Sequence, residues 1–422
     1  MKLLVFAHVP PPHHGQSYMV KLMLDGFGGD QRKPKAAPPA APYDVACYHV
    51  NARLSKHLED IGDMRPGKYF LLLFYCIQAI WCRFRYGVDT FYYVPAPGKR
   101  SALYRDWLVM LFCRPFFNRV ILHWHAAGLA KWLETCTSTS ARAWTHRLMK
   151  EPDLSIVLSQ YNRADAKKLF SKKIQVVSNG IPDPCPAFAR DVLPRRHARL
   201  EARRRLLAGE ILAPENEAQV GGDARIVDVL FLALCTREKG LFDAMAAVAL
   251  ANKKLAAQGS PISLRLTVAG TFPCAADREQ FDKLMAEGDV SRCVRYSGFV
   301  TGDQKNELFR RADLFCFPTS YGTENQPVSL LEAMAFGLPV LTTRWRSLPE
   351  ILPAGYTGLV DIRSPEQLAN GLIALLSEDG EVLRAHFLKN FSVDNYLSGL
   401  AAAFHNVDRT APQSAAAPVP TT

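Results

Sequence analysis

The chain has 422 residues, 51 Lys+Arg against 40 Asp+Glu, 48% apolar residues and 10 cysteines. This length accommodates two or three domains, and the composition excludes wholesale disorder. The cysteines stand singly, with no Cys-x-x-Cys and no zinc spacing, which excludes a disulfide scaffold and fits a reducing, cytoplasmic compartment. In chain order, the first half carries strand candidates at Lys2–Ala7, Tyr43–Tyr48, Thr90–Val94, Arg119–His125, Leu154–Leu158 and Ile174–Val177. The second half carries Ile226–Leu234, Leu264–Ala269, Val294–Tyr296, Leu314–Phe317, Pro339–Thr342 and Thr357–Val360. Helical patterns at Asp303–Ala312, Val328–Phe336 and Pro365–Leu376 lie between them. Many of the strands are continuously apolar, as in parallel sheets covered on both faces, so the expected class is α/β with two doubly wound, Rossmann-like domains.

Residues 183–225 break the rhythm after Pro182-Asp183-Pro184-Cys185-Pro186 and hold seven arginines between Arg190 and Arg205. They read as a linker with an exposed basic helix. The expected organisation is therefore 1–182, linker 183–225, 226–392, a C-terminal helix 393–410 and a disordered tail 411–422. Charge is uneven: residues 1–180 hold 25 basic and 12 acidic groups, the remainder 26 and 28. A basic first half suits anionic lipid or a phosphate-bearing partner, although a solvated face explains it too. Nucleic acid is not expected, since no recognition motif accompanies the charge.

The opening Met1–Ala7 run lacks a cleavage site after it and reads as a buried strand rather than a signal peptide. Tyr69–Cys82, fourteen mostly apolar residues, is too short to span a bilayer; a buried helix is expected, with an interfacial helix as the alternative. Gly26-Phe27-Gly28-Gly29 follows a helix, not a strand, so it reads as a helix end. His8, His13, His14, His123 and His125 come without an acidic cluster or cysteine, so no metal site is expected. His125 ends a parallel strand, where open sheets bind ligands; a polar role in a cleft and a structural role both fit it.

The stretch Phe317–Val340 is the most informative. A strand ends at Phe317, Glu324 sits in the following loop, Pro327 suits a helix start, and Glu332 lies one and a half turns inside a helix closed by Gly337. Two carboxylates around the free amides of a helix start suit a ligand with hydroxyls at both ends and phosphates between, as in a nucleotide sugar. Spacing alone favours two surface acids.

The words around these acids resemble the Glu-x7-Glu signature of GT-B glycosyltransferases of family 4: an acid, Pro three residues on, then Leu330-Leu331-Glu332-Ala333-Met334-Ala335 and Gly337-Leu338-Pro339-Val340. Leu230–Gly240 with its Glu238-Lys239-Gly240 turn, Leu266–Gly270, Val294–Val300 and Phe309–Leu314 are similar to the family's pattern in the same order. In the first half Pro11–Gln16, His125 and Val177–Ile181 match more loosely.

The resemblance implies a GT-B fold, two Rossmann-like domains facing across a cleft, and a retaining, metal-independent transfer from a UDP- or GDP-linked sugar to a lipid-linked or glycan acceptor in polysaccharide or glycolipid synthesis. It implies no cofactor. By position it gives Glu324 the sugar hydroxyls, Glu332 the ribose, and Lys239 the diphosphate with the amides near Asn325 and Gln326. Gly298 and Phe299 would border the base, Gly15, Gln16 and Asn179 the acceptor and phosphate side, and His125 the reaction centre. The family's usual arginine five residues before the lysine is Leu234 here; Arg237 is its expected substitute. The expected location is cytoplasmic, with the basic first half at the inner face of the membrane; receipt of an acidic glycan or a phosphate-bearing soluble acceptor is the alternative use of that charge. The alternative is a catalytically silent nucleotide-sugar-binding subunit. A dinucleotide oxidoreductase is excluded, because Ala7-His8-Val9-Pro10-Pro11 offers no glycine fingerprint.

Overall fold

The computed structural model describes residues 1–11, 14–33, 43–54, 66–95, 98–211 and 222–408. Two six-stranded sheets, each parallel throughout, form the frame. The first has the order β2-β1-β3-β4-β5-β6, from β1 (Lys2–Phe6), β2 (Ala46–Val50), β3 (Thr90–Tyr93), β4 (Arg119–Trp124), β5 (Leu154–Val157) and β6 (Ile174–Val176). The second runs β12-β11-β10-β7-β8-β9, from β7 (Ile226–Leu232), β8 (Ser263–Ala269), β9 (Val294–Tyr296), β10 (Leu314–Phe317), β11 (Val340–Thr343) and β12 (Leu359–Val360).

The apolar strands are buried on both faces because helices cover both. In the first sheet one face packs on α1 (Gly15–Gly26), the other on α2 (Pro66–Tyr86) and α3 (Arg100–Cys113). The Gly26–Gly29 segment is the end of α1, with Gly28 and Gly29 at positive φ. The expected strand at Tyr43–Tyr48 sits later, at Ala46–Val50, because Ala46 and Cys47 pair with Lys2 and Leu3.

The basic stretch departs from expectation. It forms α4 (Leu193–Leu207), and Arg196, Arg199 and Arg203, at helical spacing on one face, are only 5%, 2% and 4% exposed. Arg199 reaches Asp313 through Nε at 2.9 Å, and Arg203 reaches it through Nη2 at 2.6 Å. Burial alone would raise the Asp313 pKa, but these two guanidiniums hold it at about 2. This face is thus part of the second domain's interior, not a solvated or lipid-facing helix. Arg196 donates to the carbonyls of Phe336 and Gly337.

The second domain adds α5 (Leu241–Ala257), α6 (Gly302–Arg311), α7 (Val328–Ala335) and α8 (Glu381–Asn390). The final helix, α9 (Val393–Asp408), returns to the first domain. Its Phe404 packs on Phe27 and Tyr92, and the Tyr396 hydroxyl donates to the Met19 carbonyl. The expected tail and His13 lie outside the described residues. No helix among the described residues is long and apolar enough to cross a membrane.

Candidate active site

Parallel sheets aim their strand ends at one edge, and the two sheets meet there. Gly240, at φ +85°, immediately precedes α5; a Cβ on it would lie 2.2 Å from the Pro318 carbonyl oxygen. Only glycine lets this turn press against the loop after β10. That contact brings Lys239 to Glu324, with Nζ 2.7 Å from Oε2. The same oxygen accepts the Thr319 hydroxyl at 2.9 Å. The ammonium also lies 4.4 Å from the Tyr321 ring centroid.

Glu332 projects from α7 and pairs with Lys305 of α6. Burial raises the Glu332 pKa, while Lys305 opposes the shift. Its charge in turn helps raise the Tyr18 pKa, after burial, so α1 of the first domain stands opposite. Glu324 and Glu332 are 6% and 8% exposed, so neither is a surface acid. The carboxyl end of α7 is secured by Arg196 and by Arg384 of α8, which donates to the Ala335 carbonyl at 2.7 Å. The N–H groups of the first turn, at Val328 and Ser329, have no acceptor within the helix and lie between the two acids in sequence.

The first domain closes over this loop. Asn325 Nδ2 donates to the Trp124 carbonyl at 3.3 Å, and the Ala127 amide donates to the Thr323 carbonyl at 3.4 Å. These bonds bracket His125, whose Nε2 is buried and has no partner among the described residues. Burial, then the neighbouring His14, pushes His125 down to about 3. His14 and His8 are likewise lowered by burial, to about 3 and about 4, and their Nε2 atoms are 2.6 Å apart. His123 bonds through Nδ1 to the Tyr92 hydroxyl at 2.6 Å and is fully buried. All four are therefore neutral imidazoles near pH 7.

Gly15 stands across the cleft from α7: a Cβ there would touch Val328 Cγ2 at 3.7 Å. Gln16, next to it, is half-buried. Asn179 fastens the domains, its amide donating to Gln326 Oε1 at 2.6 Å and its Nδ2 to the Gln326 carbonyl at 3.3 Å. The Asn325 and Gln326 side chains are thus engaged between domains. Asn325 also takes the Ser347 hydroxyl on its carbonyl at 2.6 Å. Gly298 follows β9 at φ +71°, its carbonyl accepting from Gly270 at 2.8 Å, and Phe299 beside it is exposed.

Arg237 corrects the expectation that it replaces the missing arginine. Its guanidinium turns to Gln280 and over the Phe242 ring, away from Lys239, because its position lies beyond the strand end. Leu234 is partly exposed and offers no donor for phosphate. Lys305 and Tyr18 were missed by sequence reasoning. Lys305 is one charge on a helix full of them, and nothing local marks it as the partner of Glu332. Glu350 was missed too: its carboxylate accepts the Gln160 and Tyr161 amides at 2.7 and 2.8 Å, tying the domains together.

A cavity of about 120 Å³ between the domains is lined by residues including Ser159, Ser178, Gln326 and Glu350. It is smaller than ligand pockets of roughly 300–1,000 Å³. The acids are instead covered by their own lysines and by the first domain.

Residues 215–391 match the model of glycosyl transferases group 1. The amylovoran biosynthesis glycosyltransferase AmsK of Erwinia amylovora is 30% identical over 152 residues, which cover 35% of this chain and 34% of AmsK. The chain thus aligns with about a third of that relative's length. Sucrose-phosphate synthase of Thermosynechococcus elongatus superposes at a TM-score of 0.65 with 15% identity, covering 97% of this chain and 100% of that one. Anabaena HepE, solved with UDP-glucose, superposes at 0.60 with 14% identity, covering 96% and 99%. Residues 215–391 are thus similar to glycosyl transferases group 1, and the chain has the two-domain GT-B fold.

Proposed function

We propose that the protein is a retaining glycosyltransferase of the family 4 type that moves a hexosyl unit from a UDP- or GDP-linked sugar to a lipid-linked or glycan acceptor in surface polysaccharide or glycolipid synthesis. The observation that carries this reading is the meeting of Lys239, Glu324 and the His125 loop at the strand ends, with Glu332 behind them on the same helix-loop unit. HepE, on the same fold, was solved with UDP-glucose, which favours the donor class.

On this reading the diphosphate takes Lys239 from Glu324, and the freed carboxylate accepts sugar hydroxyls. Glu332 holds the ribose, Phe299 and Gly298 border the base, and the amides of the α7 start face the phosphates. As the glycosidic C–O bond to the diphosphate breaks, negative charge grows on the leaving oxygen, and Lys239 with these amides stabilises it. The acceptor oxygen attacks the same face, and its proton passes to the departing phosphate. His125, neutral, offers a hydrogen bond rather than charge. No metal or cofactor is required, and closure of the domains excludes water.

The basic first domain sits on the inner face of an anionic membrane. A silent binding subunit is not favoured, since Lys239, Glu324, Glu332 and His125 are all retained. The test is turnover in EDTA with UDP- and GDP-sugars on membrane extracts, with the product's anomeric configuration read by NMR. Transfer with retention supports the proposal. Transfer that EDTA abolishes, or that inverts, contradicts it.

A further inference from the structure

The helix expected to be buried is covered on one side only. Leu72, Cys76, Ala79 and Cys82 of α2 face the first sheet. On the opposite side Phe70, Phe74, Ile77, Trp81 and Phe84 form a stripe at helical spacing, 53–76% exposed. The stripe continues onto the Arg114–Phe116 turn that follows α3, where the exposed Phe116 ring lies 6.1 Å from Phe84. An apolar patch of this size on a folded surface marks an interaction site.

Among the described residues its rim is basic. Residues 66–116 contain seven Lys or Arg and only two acids, Asp89 and Asp106. Asp106 is fully buried, bonded to the Tyr93 hydroxyl and Arg105, and Asp89 faces Arg119. At the far end of the stripe Arg85 is exposed, and Arg83 lies beside the patch with Nε on the Phe116 carbonyl. A second copy docked face to face would set arginine against arginine, and both described acids of this stretch are already engaged. Large apolar and aromatic side chains flanked by arginines match instead an interface whose interior is hydrocarbon and whose surface is anionic.

We propose that the outer face of α2, with the Arg114–Phe116 turn after α3, inserts into the headgroup–acyl boundary of an anionic bilayer. The helix lies flat, still packed on its sheet. Because helices of a parallel sheet begin where strands end, the Phe70 end of the stripe is the one nearest the cleft. The 21-residue helix runs about 31 Å outward from that rim. An acceptor held in the same leaflet thus meets the cleft mouth without leaving the membrane. This deepens the membrane contact of the proposed function, but docking itself needs no donor site.

The test is co-sedimentation of the full chain with phosphatidylcholine vesicles, with and without phosphatidylglycerol. The wild type binds the anionic vesicles, and binding weakens with salt. The variant F74S/I77S/W81S binds at least about tenfold more weakly, and R85E also loses affinity. Thermal unfolding confirms that both variants fold. Equal binding by the triple variant, or no binding of the wild type to anionic vesicles, overturns the proposal. So does concentration-dependent self-association that the triple variant abolishes, which would make the face a contact between copies. Nucleotide-induced thermal shifts measured without vesicles report on the donor site separately, so either reading can fail alone.

Discussion

Lys239 Nζ lies 2.7 Å from Glu324 Oε2, so the group proposed to meet the diphosphate is held by the group proposed to meet the sugar. Each is kept in place by the other until the donor replaces both contacts. Removing the carboxylate charge therefore frees the lysine for an anion. Glu324→Gln should bind a bare nucleoside diphosphate about five- to tenfold more tightly while turnover falls about a hundredfold or more. Calorimetry against single-turnover rates checks this. Weaker diphosphate binding in Glu324→Gln would count against the arrangement.

The second pair is asymmetric. Lys305 is more exposed than Glu332 and can swing to water if its partner goes, whereas Glu332 cannot. Lys305→Ala should therefore destabilise the fold more than Glu332→Gln, by about 2 kcal/mol, and the double variant should recover most of that loss. Urea unfolding of the three variants measures it. Equal costs for the two single changes would contradict the asymmetry.

Asp313 anchors α4 to the second domain through Arg199 and Arg203. Asp313→Asn leaves two buried guanidiniums without their counter-charge and should cost about 3–5 kcal/mol. Because the folded pKa is depressed to about 2, the stabilisation is present above the unfolded value near 4 and is lost as pH falls through 2. Denaturation of the variant should lose this acid-range component.

The histidines act at milder pH. His8, His14 and His125 have folded pKa values of about 4, 3 and 3 against 6.5 in the unfolded chain. The unfolded state then binds more protons below pH 6.5, so stability falls as pH drops from there toward 4. Each such group contributes about 1.4 kcal/mol per pH unit. Melting temperatures between pH 7.5 and 5 should decline, and His14→Gln should flatten the slope. A flat profile above pH 5 would contradict neutral burial of these rings.

All twelve expected strands occur, because continuous apolar runs between helical patterns specify a buried parallel strand wherever they fall. The placement of Glu324 and Lys239 was legible for a related reason: both follow strand ends that a parallel sheet must bring to one edge. The arginines of α4 were not. Composition marks a basic helix as solvated, yet the acid that buries Arg199 and Arg203 lies more than a hundred residues away. Lys305 was hidden by the same non-locality. The outward aromatics of α2 were misjudged because hydrophobicity marks what avoids water without saying which surface covers it. The side chains of Asn325 and Gln326 join the domains, a contact between distant segments that no local pattern announces.

The central claim is that this cleft binds a nucleotide sugar through Lys239 and Glu332 without metal. Thermal unfolding in EDTA with UDP, GDP and ADP and their sugar conjugates, run beside Lys239→Ala and Glu332→Ala, tests it most directly. One nucleotide class should stabilise the wild type by about 2.7 kcal/mol at a hundred times its Kd, and both variants should lose the effect. A folded protein that no nucleotide stabilises at millimolar concentration, or one stabilised equally in both variants, would contradict it.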